Sequence, residues 1–363
     1  MRTLITTGIY PPDIGGPATF VPKLAKELEL NGDIPIVVSL KPEDFKEELP
    51  TYPLYLVGRS KNRVFRLLMT FKTVLINAAR ADRIFSNGLY IEAGLSAFVF
   101  RKRAIAKLVG DPIWEKCRNQ GLTSENILDF QHSKLGFKLK IMKLIYIWSL
   151  NQFDVIYCPS SELVGIFRMW GVTTEIKHIP NGVEIPEIEL VEKKYDLVCV
   201  SRLVKWKNVD QCIRTASELG LSLLIIGTGP EMQNLRFLSN ELSAKCTFAG
   251  DCTPSEVLDY LKVSRVYLLV SQYEGLSFSL LEAMSLCVPV VVSNALGNLA
   301  VVQNGLNGYV VEPTDLKAII QAVSTLIGNP DLRLQLGLEA RETVISHYNS
   351  KVRFAEVIEL IRK

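Results

Sequence analysis

The sequence predicts an α/β protein of two tandem domains, each a parallel sheet wrapped by helices. Three observations carry that expectation. At 363 residues the chain exceeds what one ordinary hydrophobic core organises. Short β-rich apolar runs alternate with stretches of helical spacing along most of its length, which is the signature of βαβ units. The alternation breaks once, where Ile179–Val183 (IPNGV) leads into the acidic, proline-containing and aperiodic stretch Glu184–Lys194. Taking that stretch as the linker gives a first domain over 1–183 and a second over 184–349, with a helix at 350–363 returning toward the first. The architecture expected is two Rossmann-like domains with a cleft between them.

In the first domain Arg2–Ile9 is β-rich, Tyr10–Pro17 is a proline- and glycine-rich loop, and Ala18–Asn31 has helical spacing through Phe20, Leu24 and Leu28. Gly32 then supplies a helix stop. Ile34–Leu40 and Tyr52–Val57 read as strands. The following segment places Val64, Leu67, Leu68, Phe71, Val74 and Leu75 on one face of a helix. Strands are expected at Arg83–Ser86, Ala104–Val109 and Phe153–Cys158, with a long helical segment at Asp129–Gln152. The second domain repeats the alternation. Its strands are Leu197–Val200, Leu221–Ile226, Thr247–Ala249, Val266–Val270, Val288–Val292 and Gly308–Val311. Helices fall at 208–219, 231–242, 254–262, Thr314–Ile327 and Asp331–Ser346, and the amphipathic Ser350–Arg362 closes the chain.

Composition narrows the class. Hydrophobic residues make up 48% and charged residues 22%, as in a soluble globular protein. No run approaches the ~20 apolar residues that span a bilayer. The first residues, MRTLITTGIYPP, lack a signal peptide's apolar core and read as a strand. Seven dispersed cysteines without a C-x-x-C pair fit reduced thiols, so the expected location is cytoplasmic. The net charge of +3 conceals a run from Arg59 to Lys107 with 11 basic residues against two acids. Such a run is either a solvated helix face or an attractant for an anionic membrane or nucleic acid.

The chemistry-bearing residues gather at strand ends. Ser271–Ala283 (SQYEGLSFSLLEA) follows an apolar strand and enters a helix, carrying Glu274 and Glu282. Ligands of open α/β sheets bind at such places, and a helix start offers free N–H groups to an anion. Ser277 is a good N-cap there. On one continuous helix the two carboxylates would lie about 12 Å apart, against roughly 5–5.5 Å in a retaining glycosidase pair. Each therefore suits a different part of a long, hydroxyl-rich ligand, unless both are surface or capping acids. In SRLVKWKN (201–208), Arg202 and Lys207 stand where cations hold a diphosphate, with Lys205 an alternative. Gly227 and Gly229 form a strand-to-helix turn on the same edge, which either meets a nucleotide base or is only a tight turn. Gly15 and Gly16 form a similar pair in the first domain, without the spacing of a dinucleotide fingerprint. Three scattered histidines and the lack of any Asp-x-Asp leave no evident metal cage, so no metal or other cofactor is expected.

EGLSFSLLE (274–282) resembles the E-x7-E motif of family 4 retaining glycosyltransferases, which have the GT-B fold and build bacterial and archaeal cell-surface glycans. GGPATF (15–20), PNGV (180–183) and SRLVKWKN (201–208) resemble that family's glycine loop, domain junction and cation pair. The resemblance implies a metal-independent enzyme moving a sugar, with retention, from a UDP- or GDP-sugar to a glycan or lipid-linked acceptor. By position, Arg202 and Lys207 would hold the diphosphate, Glu282 the ribose and Glu274 the donor sugar, near the amides of Gly275, Leu276, Ser277 and Phe278. Gly16 would close over the phosphates. Two departures accompany the likeness. GDPIWE (110–115) stands where many members carry a histidine, making Asp111 an acceptor-side candidate or a helix N-cap. GNLAV (297–301) has Ala300 where relatives often have an acid. Lipid-linked acceptors would give the basic run 59–107 an anionic membrane partner on the inner face, with no nucleic acid. The competing expectations are a GT-B sugar-nucleotide epimerase, disfavoured by the few histidines, and a non-catalytic nucleotide-sugar or membrane-binding protein.

Overall fold

The computed structural model describes residues 1–13, 15–41, 50–59, 62–189 and 191–363. Contacts divide the chain into two units, Met1–Pro180 with Phe354–Lys363, and Asn181–Arg353. Lys61 of the basic run, Ile14 of the first loop and Leu190 of the linker stretch lie outside the described residues.

The first unit is built on seven parallel strands: β1 (Arg2–Thr7), β2 (Ile34–Leu40), β3 (Leu54–Val57), β4 (Arg83–Asn87), β5 (Arg103–Lys107), β6 (Val155–Cys158) and β7 (Glu175–His178). They lie in the order β3-β2-β1-β4-β5-β6-β7. Residues 3–7 of β1 are buried on both faces, as the central strand of a doubly covered sheet must be. The chain winds outward from β1 and then returns to lay β4 on its other side, so the topological switch point lies between β1 and β4. The helices are α1 (Gly16–Leu30), α2 (Arg63–Arg80), α3 (Tyr90–Phe100), α4 (Pro112–Asn119), α5 (Ile127–Phe130), α6 (Phe137–Leu150) and α7 (Ser161–Trp170). The single helix expected at 129–152 is two, because the chain is non-helical from Gln131 to Gly136.

Helix α2 has the expected helical span, but its apolar stripe is not buried as a unit. Val64, Leu67 and Leu68 of its apolar stripe are exposed, while Thr70, Val74, Asn77 and Ala78 face the core. At the other end of the basic run, Lys107 is 1% exposed. Its ammonium lies 3.4 Å from the centroid of the Phe20 ring, and burial holds its pKa well below the ordinary lysine value.

The second unit holds six parallel strands: β8 (Tyr195–Val200), β9 (Leu223–Ile226), β10 (Cys246–Gly250), β11 (Ser264–Leu269), β12 (Val290–Ser293) and β13 (Tyr309–Val311), in the order β10-β9-β8-β11-β12-β13. Here the switch point falls between β8 and β11. Helices α8 (Val209–Leu219), α9 (Met232–Glu241), α10 (Pro254–Lys262), α11 (Phe278–Ser285), α12 (Leu296–Leu299), α13 (Leu316–Gly328), α14 (Pro330–His347) and α15 (Ser350–Arg362) complete the chain. Period-2 alternation sorts the core into two clusters. Val198, Tyr267, Leu269 and Val292 pack with Leu280, Leu281 and Met284 of α11 and Val344 of α14. Leu197, Cys199, Leu268 and Val291 pack with Ile213 of α8 and Ile319 and Val323 of α13. Helix α15 starts in this unit and ends in the first, where Phe354 stacks on Phe20 at 5.3 Å and Arg362 pairs with Asp33 at 2.9 Å. Among the described residues, no helix is long and apolar enough to cross a membrane.

Candidate active site

Two loops meet at the switch point of the second sheet. One follows β8 and contains Arg202 and a 3-10 turn at Lys205–Lys207; the other follows β11 and leads into α11. The second loop stops where Ser277, in extended conformation, caps α11 by accepting from the Leu280 N–H at 3.3 Å. That leaves the first amides of α11 at the carboxyl edge of the sheet. The two loops are tied together: Gln272 N–H donates to the Trp206 carbonyl at 2.8 Å, and Asn208 Nδ2 donates to the Val270 carbonyl at 3.2 Å.

At their junction the Lys207 ammonium and Glu274 Oε1 form an ion pair of 2.5 Å, and Ser271 Oγ donates to the same oxygen at 2.7 Å. Among the described residues both partners of this carboxylate use Oε1. The Glu274 side chain is 7% exposed and that of Lys207 18%, so the pair is largely shielded from water. This geometry distinguishes the two lysines that the sequence alone left open: Lys207 turns to the loop of Glu274, and Lys205 is exposed. Arg202 is also exposed, its guanidinium 5.5 Å from the centroid of the buried Trp206 ring, a cation–π contact that orients a solvent-facing charge. Glu282 lies half-buried within α11, beyond the loop that carries Glu274.

Gly227 and Gly229 turn the chain after β9. Gly227 adopts φ 123°, and a Cβ there would fall 2.1 Å from the Ser201 carbonyl oxygen; one at Gly229 would fall 2.3 Å from that of Leu203. Close approach to the backbone on either side of Arg202 thus accounts for both glycines, and it sets their turn beside that residue. Gly275, Leu276 and Ser277 complete the β11–α11 loop, and Phe278 opens the helix.

Gly16 and Asp111 belong to the first unit. Gly16 is the first residue of α1. Asp111 is fully buried and caps α4: Oδ1 accepts from Ile113 N–H at 2.8 Å and Trp114 N–H at 2.9 Å, and Oδ2 accepts from Gln131 Nε2 at 2.9 Å. Burial raises its pKa, against the lowering effect of those bonds. Both its oxygens are engaged within the protein.

Three supports of the Glu274 loop escaped the sequence reading. Ser271 positions the carboxylate. Asn181 of the PNGV motif donates from Nδ2 to the Leu276 carbonyl at 2.9 Å, so the junction motif also braces the loop. Gly297 donates its N–H to the Glu274 carbonyl at 3.1 Å, and a Cβ there would lie 2.3 Å from the Gly275 carbonyl oxygen. In GNLAV the sequence drew attention to Ala300, which is exposed, while the glycine three residues earlier makes the contact. Gly297→Ala forces this backbone apart and is expected to destabilise the protein by about 1–3 kcal/mol, read as a lower urea midpoint with unchanged slope. No group of three or more His, Cys, Asp or Glu side chains is placed to hold a metal among the described residues.

Comparison with known proteins places this geometry in context. Residues 183–343 match the family described as glycosyl transferases group 1. An uncharacterised glycosyltransferase of Methanocaldococcus jannaschii is 24% identical, covering 100% of this chain and 98% of that protein. A GDP-mannose-dependent alpha-(1-6)-phosphatidylinositol monomannoside mannosyltransferase of Mycolicibacterium smegmatis is 27% identical over 53% of this chain, which spans 57% of that relative's length. Among solved structures, an Anabaena protein in complex with UDP and glucose superposes with a TM-score of 0.82 at 16% identity, covering 100% of this chain and 99% of that one. The fold is GT-B.

Proposed function

We propose that this chain, an enzyme carrying a group 1 glycosyltransferase domain over residues 183–343, moves a sugar from a nucleoside diphosphate donor to a glycan or lipid-linked acceptor. The transfer retains the anomeric configuration and needs no metal ion. The observation that carries this reading is the cluster at the β8–β11 switch point: Arg202 exposed, Lys207 paired with Glu274, and the start of α11 on the same edge.

In the reaction the bond between the anomeric carbon and the diphosphate oxygen breaks, and the oxygen takes the electron pair. The acceptor hydroxyl attacks from the face that the diphosphate leaves and passes its proton to a departing phosphate oxygen. No protein nucleophile is used. Charge grows on the diphosphate in the transition state, so preorganised cations and helix dipoles are the main source of rate. Arg202 and Lys207 supply the cations. Glu274 accepts hydrogen bonds from sugar hydroxyls, and its bond to Lys207 fixes sugar and diphosphate contacts relative to each other. Glu282 accepts from the ribose, and the Gly227–Gly229 turn faces the base. The mycobacterial relative's GDP-mannose and the UDP and glucose of the Anabaena complex support a nucleotide-sugar donor. A lipid-linked acceptor calls for a cytoplasmic enzyme that works peripherally at the inner membrane face.

A panel of UDP- and GDP-sugars tests the reading by thermal stabilisation in EDTA. The matching nucleotide at 100 times its Kd is expected to add about 2.7 kcal/mol, a rise in Tm of roughly 5–10 °C. No shift with any member, or a shift that requires a divalent ion, overturns it.

A further inference from the structure

We propose that the outer face of α2, α3 and α6 docks on an anionic lipid bilayer and inserts apolar side chains below the headgroups. The choice of a bilayer rests on the lipid-linked acceptor of the preceding reading; the docking face rests on the geometry that follows.

The first half of α2 turns its apolar side chains outward. Its outward side carries Val64, Phe65, Leu67 and Leu68, with Leu68 63% exposed, while polar Thr70 and Asn77 are turned to the core. In helix α6 only Ser149 and Leu150 are buried, and Phe137 is 78% exposed. Helix α3 packs against both. Its exposed Phe98 meets the exposed Trp148 of α6 edge-to-face at 6.0 Å, which joins the apolar surfaces of α3 and α6. Large contiguous apolar patches are rare on soluble monomers, and three neighbouring helices that all expose apolar side chains are candidates for a covered face.

Charge selects the occupant. Neither α2 nor α6 contains an acid, and the one acid of α3, Glu92, is buried. Arg63, Lys72 and Arg80 on α2, with Lys138 and Lys140 on α6, stand exposed among the apolar side chains. A second copy of the chain would bring two positive faces together, and a nucleic acid offers nothing for leucine and valine side chains. A bilayer interface satisfies both demands, with acyl chains for the apolar residues and acidic headgroups for the cations. A tryptophan at the rim of such a surface is in its preferred environment. Lys107, buried under Phe20, takes no part.

Trp148 supplies the readout, being 43% exposed while Trp114, Trp170 and Trp206 are 1%, 5% and 6% exposed. The full chain is mixed at low salt with neutral vesicles or vesicles containing acidic phospholipid, some with brominated acyl chains. Binding is expected to be at least tenfold tighter to acidic vesicles, since each interfacial cation contributes about fivefold, and brominated acyl chains should quench the tryptophan emission. Trp148→Phe should remove the quenching and keep sedimentation with the vesicles. L68D with L144D should reduce binding at least tenfold while leaving the thermal shift by nucleotide intact, so failure here is separable from failure of the donor reading. Equal binding to neutral and acidic vesicles, binding without quenching, or a dimer in solution that L68D with L144D dissolves would each overturn the proposal.

Discussion

Lys207→Met is expected to abolish sugar transfer, lowering kcat by about 10³-fold or more. The Lys207 ammonium contacts Glu274 Oε1 at 2.5 Å in a site where the two side chains are only 18% and 7% exposed. Under the proposed mechanism, removing the ammonium deletes a cation assigned to the departing diphosphate. It also leaves a shielded carboxylate whose remaining partner among the described residues is the Ser271 hydroxyl. Breaking a fully buried pair costs about 3–5 kcal/mol, and the partial exposure of Lys207 brings the expected loss of stability to about 2–3 kcal/mol. Combining Lys207→Met with Glu274→Gln separates the two consequences. The second change removes the stranded charge, so the double variant should recover most of the stability and none of the activity. Urea unfolding and single-turnover transfer measure the two. Near wild-type turnover in Lys207→Met would remove this lysine from the mechanism.

What the sequence disclosed, and what it withheld, follows from the range of the interactions. Strand–helix alternation is local, so every strand but β7 (Glu175–His178), which is polar and largely exposed, and the switch-point loops were legible from apolar runs and their breaks. Arg202, Lys207 and Glu274 stood out in the sequence because they follow strands, and the structure brings Lys207 and Glu274 together there, whereas Glu282 lies within α11. The pairing of Lys207 with Glu274 joins residues 67 apart in the chain, and no periodicity encodes it. Nor could spacing reveal that Asn181 and Gly297 brace the same loop, since each acts through a backbone carbonyl. Asp111 was read as ligand contact or cap; both its oxygens are satisfied inside the first unit. The stripe of α2 marks a further limit. Its period was correctly helical, but periodicity reports that a helix has an apolar face and not what covers it.

Arg202→Ala is expected to lower kcat by about 10²–10³-fold with little effect on folding. The side chain is exposed, and its one described attachment is the cation–π contact to Trp206 at 5.5 Å, worth about 0.5–1 kcal/mol at such a site. The urea midpoint should therefore move far less than in Lys207→Met. In the proposed reaction charge develops on the diphosphate as its bond to the sugar breaks, so the loss should fall on kcat and kcat/KM together, the pattern of an interaction made in the transition state. Arg202→Lys keeps the charge but loses the planar fork that holds two phosphate oxygens at once, and the shorter stem gives up the stacking on Trp206. It should recover only a small part of the rate. Added guanidinium ion should rescue Arg202→Ala in a saturable manner and leave Lys207→Met unchanged, because the Lys207 site calls for an ammonium bonded to Glu274. Full activity in Arg202→Ala, or a loss confined to KM, would place this arginine outside the transition-state contacts and leave Lys207 and the start of α11 to carry the diphosphate charge alone.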